Sequence, residues 1–90
     1  LNLHIIVNGR VQGVGFRFTT KQKAIDYDLK GWVKNLSNGS VELEIEGNDL
    51  QVEDFLSELK EGFNPFIKVN EVHIIKEAAG HKGYKNFEIR

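Results

Sequence analysis

Cysteine is missing from all 90 residues. That excludes a disulfide framework, a thiolate-ligated zinc and a thiol nucleophile, and it fits a reducing compartment without demanding one. Charge of one sign is missing too: 12 Lys and Arg face 13 Asp and Glu, for a net charge of −1. A dedicated nucleic-acid surface would normally be basic. No apolar run is long enough to span a bilayer, and the opening residues carry no signal-peptide pattern. Repeats, low-complexity segments and linker-like stretches are absent, so residues 1–90 read as one domain. The content of Leu, Ile, Val and Phe excludes disorder, and a chain of this size buries somewhat over half of its surface. The expectation is a cytoplasmic monomer with no nucleic-acid or membrane partner.

What is present has clear periodicity. Leu3, Ile5 and Val7 alternate with His4, Ile6 and Asn8, which predicts a strand with one strongly apolar face. Glycines then interrupt, and from Phe16 the spacing of Phe16, Thr20, Ala24 and Tyr27 predicts a helix ending near Asp28. A second strand is expected over Trp32 to Leu36, then a tight turn at Ser37-Asn38-Gly39-Ser40, because Asn-Gly tolerates positive φ. Val41, Leu43 and Ile45 alternate with Glu42, Glu44 and Glu46 in the third strand. Asn48 with Gln51 reads as a capping box opening a second helix, whose buried stripe is Val52, Phe55, Leu56 and Leu59 and whose stop is Gly62. Val69 to Lys76 alternates again, Glu77 to Gly83 is a polar loop, and a short last strand spans roughly Tyr84 to Ile89. With right-handed crossovers this order gives an α+β, ferredoxin-like split βαβ sandwich, an antiparallel sheet with two helices on one face.

The run Gly9-Arg10-Val11-Gln12-Gly13-Val14-Gly15-Phe16-Arg17 stands out at the first strand-to-helix turn. Two readings of it are open. The glycines permit positive φ in a turn, and Arg17 is then only a solvated first-turn residue. Alternatively, backbone N–H groups of the turn and of the helix N-terminus converge on an anion, and the guanidinium closes the ring. A cation in a first helical turn opposes the macrodipole, so the arginine favours the anion cradle.

Asn35 by itself reads as a turn residue satisfying nearby backbone. In the split βαβ topology, however, the first two strands run parallel, and Asn35 ends its strand on the same side as the glycine loop. Arginine grips a phosphoryl oxygen bidentately and stabilises charge that develops there. Asparagine both donates and accepts, so it can hold a water but cannot deprotonate it. Attack of water on a phosphoryl group with a good leaving group needs that kind of orientation more than base strength.

These residues resemble a known family. Gly9 to Arg17, Gly31-Trp32-Val33-Lys34-Asn35 and Asn38-Gly39-Ser40-Val41-Glu42 are similar, in order and spacing, to the two signatures of acylphosphatases, and the likeness extends to Phe87-Glu88-Ile89. The resemblance implies hydrolysis of the carboxyl–phosphate bond of a small-molecule acyl phosphate, with inorganic phosphate as product and competitive inhibitor. It implies that Arg17 binds the phosphate, that Asn35 orients the attacking water, and that backbone amides of Gln12, Gly13, Val14, Gly15, Phe16 and Arg17 complete the cradle. No cofactor, metal or covalent intermediate is implied, and the substrate's own phosphate takes the water's proton. Gly62-Phe63-Asn64-Pro65 departs from the family by keeping one proline where relatives often have two. Acylphosphatase-like domains also occur inside larger hydrogenase-maturation proteins that handle carbamoyl phosphate. The short length favours a free-standing enzyme. A ligand-binding regulatory domain of the same fold would bind anions without turning over benzoyl phosphate.

Other residues invite different readings. His4, His73 and His81 have no paired metal-ligand spacing and are expected on the surface or a sheet face. Glu42, Glu44 and Glu46 are expected as a solvated strand face. Those carboxylates would repel phosphate where RNA-recognition domains of this architecture stack bases, which argues against RNA.

Overall fold

A computed structural model describes residues 1–90. Strand β1 (Asn2–Arg10) leads to helix α1 (Phe16–Asp26), then β2 (Lys30–Asn35), β3 (Val41–Glu46), helix α2 (Asp49–Glu61), β4 (Lys68–Ala78) and β5 (Phe87–Ile89). The strands lie in the order β4-β1-β3-β2-β5. β3 is antiparallel to both β1 and β2, so β1 and β2 run parallel on either side of it. β5 pairs parallel to β2 through Gly31–Phe87, Trp32–Glu88 and Val33–Ile89. The sheet is therefore mixed rather than wholly antiparallel, because the chain crosses from β4 to the far edge before its last strand.

Alternation in β1 and β3 sends Leu3, Ile5, Val7, Val41, Leu43 and Ile45 to the helix side, where all are buried. Fully burying one such side chain contributes about 1.5–3 kcal/mol. From the helices come Phe16, Ala24, Val52, Phe55 and Leu59. α1 buries only Phe16, Thr20 and Ala24, and the two small residues let it lie close over β2 and β5. Phe63, after α2, stacks on Phe16 at 5.9 Å and meets Phe55 at 5.6 Å, fastening the start of α1 to the second helix. Lower down, Lys23 Nζ lies 3.0 Å from Glu58 and the Tyr27 hydroxyl donates to the same carboxylate. That hydrogen bond keeps the phenol protonated, raising its pKa to about 12. No helix is long and apolar enough to cross a membrane.

The opposite face corrects one expectation. Glu44 and Glu46 are 2% and 3% exposed, not solvated. The segment before β5 folds over them, and Glu46 accepts from the backbone amides of Lys82, Gly83 and Tyr84 at 2.8–2.9 Å. Asn2 Nδ2 donates to both carboxylates at 2.9 Å, while Trp32 Nε1, the Tyr84 hydroxyl and Lys82 Nζ converge on Glu44. Burial pushes the Glu44 carboxyl up, but the hydrogen bonds from Lys82, Asn2 and Tyr84 outweigh it and leave the pKa at about 2. Glu46 is lowered in the same way, by backbone amides and Asn2 acting against burial. Glu42 alone stays half-exposed, between His4 at 2.6 Å and Lys34 at 3.5 Å.

Candidate active site

The parallel course of β1 and β2 brings the glycine loop and Asn35 to one end of the sheet. Asn35 and Val7 are both cross-strand partners of Val41, so the three residues form one row. Directly paired residues share a face, which places Asn35 on the helix side, about 10 Å along the row from Val7. Its Oδ1 is buried and has no hydrogen-bond partner in the chain. Thr20 Oγ1, one turn into α1, is the other such atom. A buried polar atom left unpaired is destabilising by about 1–3 kcal/mol, so an acceptor in this state favours an arriving donor.

The loop between β1 and α1 is built to present N–H groups. Gly13 and Gly15 both have φ of +75°, with Val14 between them outside the left-handed region. That alternation turns successive amides toward one side, the arrangement known as a nest. A Cβ at either glycine would meet nothing within 4 Å, so the conformation rather than crowding calls for glycine. Left-handed backbone costs other residues about 1–2 kcal/mol. The amides of Gln12, Gly13, Val14 and Gly15 donate no hydrogen bond within the chain. Thr19 N to Gly15 O, at 3.0 Å, is the first bond of α1, and the amides just before it are the unpaired ones of any helix start. Gly15 offers no side-chain cap, and the first turn contains no acidic residue. Arg17 stands there exposed and in no ion pair.

Below the loop, packing fixes its position. Val11 and Phe16, at its two ends, are each 1% exposed. Gln12 has a role that its residue type does not reveal. Its side-chain Nε2 donates to Leu36 O and to Ser40 O, both at 2.8 Å, so the loop is tied to the β2–β3 turn just beyond Asn35. Ser40 in turn bonds through Oγ to Asn8 of β1. Loop and asparagine are thus held by one polar junction.

The three histidines lie elsewhere. His4 pairs with Glu42 on the open sheet face, His73 with Glu71 at 3.1 Å, and His81 sits 3.1 Å from both Gly47 O and the Leu1 amino group. The roomiest cavity, ≈ 430 Å³, is also elsewhere, beside the end of α2, and includes Glu58 and Glu61 in its lining. Two carboxylates against the single cation Lys68 disfavour an anion there.

A free nest of amides, a bare helix start and an unpaired arginine suit a tetrahedral anion. The acylphosphatase family model matches residues 3–89. The chain belongs to the acylphosphatase family. An acylphosphatase of Bacillus pumilus is 39% identical, with all of this chain and 98% of the relative aligned. The crystal structure of acylphosphatase from Bacillus subtilis superposes with a TM-score of 0.92 at 39% identity, covering 99% of this chain and 97% of that one. HypF from T. kodakarensis matches at a TM-score of 0.83 and 31% identity over 98% of this chain, which corresponds to 11% of HypF. The activity that accompanies acylphosphatase membership is hydrolysis of acyl phosphates.

Proposed function

We propose that the loop amides and Arg17 hold the phosphoryl group while Asn35 aims a water at phosphorus. The observation that carries this reading is the buried, unpartnered Oδ1 of Asn35, next in sequence to Leu36, whose carbonyl holds Gln12 of the loop. An oxygen in that position accepts a hydrogen bond from a water and leaves a water lone pair free to attack. The amides of residues 12 to 17 and the guanidinium face the phosphoryl oxygens, where charge is spread in a loose transition state.

The step balances without a protein base. Water oxygen bonds to phosphorus, the phosphorus–oxygen bond to the acyl group breaks, and that oxygen leaves with the electron pair as a carboxylate. The proton of the attacking water passes to a phosphoryl oxygen, giving dihydrogen phosphate. A dianionic acyl phosphate thus yields two monoanions.

Turnover of benzoyl phosphate by wild type, Arg17→Ala and Asn35→Ala tests the assignment. Arg17→Ala loses both turnover and inhibition by inorganic phosphate. Asn35→Ala lowers kcat by roughly 10²–10³, the scale of a lost transition-state contact, and leaves phosphate inhibition within about twofold. Full activity in Asn35→Ala would remove the asparagine from the scheme. The rate should also stay level across neutral pH, since the scheme uses no protein acid or base. A bell centred near the histidine range would instead implicate a protein acid or base.

A further inference from the structure

Gly13 and Val14 of the loop also line a groove of ≈ 380 Å³, completed by Arg10, Pro65, Phe66 and Lys68. Arg10 and Lys68 are direct cross-strand partners at the end of β1 and β4. Like charges placed opposite each other destabilise a sheet, and neither cation has a carboxylate partner. An anion lying between them would offset that repulsion.

The apolar wall is held out deliberately by the backbone. Asn64 Oδ1 accepts from Phe66 N at 2.9 Å and Asn64 O from Ile67 N at 3.3 Å, forming a rigid turn. Ile67 anchors that turn at 2% exposure, while Phe66 is 76% exposed beside the loop. Phe66 thereby presents an apolar surface continuous with Val14 and Pro65 in the same groove.

In the order β4-β1-β3-β2, the groove lies on the β4–β1 side of the loop and Asn35 on the β2 side. The span is three strand spacings, about 14 Å. In-line displacement puts the attacking and leaving oxygens on opposite sides of phosphorus. With water at Asn35, the leaving acyl group therefore points toward the groove.

We infer that this groove receives the acyl group, and that the favoured substrates are acyl phosphates carrying a second anionic group on the acyl portion. Arg10 and Lys68 hold that anion, and Val14, Pro65 and Phe66 flank the carbon skeleton. The inference rests on the phosphoryl group sitting in the loop as proposed above.

The test compares kcat/KM for 4-carboxybenzoyl, 4-phosphonobenzoyl and 4-methylbenzoyl phosphate, each divided by its uncatalysed hydrolysis rate. Wild type favours the anionic acyl groups over the methyl compound by roughly three- to tenfold, the scale of two partly exposed ion pairs. Arg10→Gln with Lys68→Gln brings the ratio to about 1, Lys68→Glu takes it below 1, and added salt compresses the wild-type ratio. Preference for both anions assigns the groove to anionic acyl groups generally, and preference for the phosphonate alone narrows it to phosphorylated ones. A wild-type ratio of 1 or less, or a ratio unmoved by Lys68→Glu, overturns the inference. Failure of the underlying reading looks different: Arg17→Ala would then keep its turnover of the methyl compound and its inhibition by inorganic phosphate.

Discussion

Helix α2 opens with Asn48, whose Oδ1 accepts from Leu50 N at 3.0 Å, and with Asp49 in the first turn. Helix α1 opens on a left-handed Gly15 with no side-chain cap, no acid, and Arg17 where a cation opposes the dipole. Both starts are present in the same small protein, so the difference is not one of what the fold permits. It extends beyond the helices. At the far end of the sheet, Glu44 and Glu46 find every donor they need within the chain. At the loop end, Asn35 Oδ1 is unpartnered, four loop amides are free and two cations face each other. Local stability has been completed in one region and left open in the other, a pattern expected where stability is exchanged for function.

The strongest way to break the contrast is to make α1 begin like α2. Arg17→Glu replaces a cation that opposes the dipole by an anion that suits it. Turnover of benzoyl phosphate should fall by roughly 10³ or more, since under the proposed scheme the site loses a charge-stabilising donor and gains a repulsive carboxylate. Stability should hold or rise, by up to about 1 kcal/mol from the dipole. Urea unfolding checks the second half: a marked loss of stability would make Arg17 a structural residue and dissolve the comparison.

Gln12 sharpens it, because this side chain is complete where its own loop is not. Gln12→Ala frees the loop from Leu36 O and Ser40 O, and misplacement of about 1 Å in such sites lowers rates by up to roughly 10². Gln12→Glu should be worse, since a carboxylate would face two carbonyl oxygens and the substrate's charge. Because the amides themselves remain, kcat should drop more than phosphate inhibition weakens. Equal loss of both would mean that Gln12 shapes the cradle and not its alignment with Asn35.

Acid probes the completed end. Glu44 is held at about 2 against an ordinary value of 4.5, and Glu46 is lowered as well. Depressed carboxyl pKa values contribute stability that is fully present above the unfolded value and is lost as pH falls through the folded one. Unfolding free energy should therefore decline from about pH 4.5 toward pH 2. Glu46→Gln, which keeps the shape but not the charge facing three amides, should cost about 2 kcal/mol at neutral pH and flatten that decline. Urea titrations at stepped pH give the answer, and an unchanged acid profile would locate the acid sensitivity elsewhere.

How much of this was legible in the sequence follows from what alternation can encode. Leu3-Ile5-Val7 and Val41-Leu43-Ile45 mark the buried face because period two is a property of the strand itself. The same pattern in Glu42-Glu44-Glu46 marks the other face but not what covers it. The cover comes from Lys82 to Tyr84, distant in sequence and bonding mainly through backbone amides. Gln12 reads as a backbone-amide donor of the cradle, but its side-chain role was not legible, since both acceptors are carbonyl oxygens that any residue type would supply. The second helix has the expected stripe and Gly62 stop, and Asn48 does cap it, but the bond to Asn48 comes from Leu50 N and not from Gln51. A strand as short as Phe87–Ile89 has too few residues to reveal its direction, which is why the parallel edge was missed. Arg17 could be singled out because a cation is awkward in a first helical turn, whereas Asn35 could be singled out only because the strand order carries it to the same end of the sheet. The groove was not, because Arg10 and Lys68 meet only through the β1–β4 register.

Asn48→Ala removes the cap and leaves Leu50 N without its acceptor, which should cost about 1 kcal/mol. Asn48 lies at the far end of the sheet from the loop, beside Gly47, whose amide bonds to Leu1 O. Loss of the cap should consequently lower the urea midpoint while kcat and KM for benzoyl phosphate stay within about twofold. Arg17→Glu and Asn48→Ala then move the two observables in opposite patterns: activity without stability in one, stability without activity in the other. A fall in kcat with Asn48→Ala comparable to its loss of stability would mean that the two helix starts are coupled through the core. Phe55, Phe63 and Phe16 are the only aromatic path by which α2 reaches the start of α1, so Phe63→Leu in the Asn48→Ala background would then be the variant that localises the coupling.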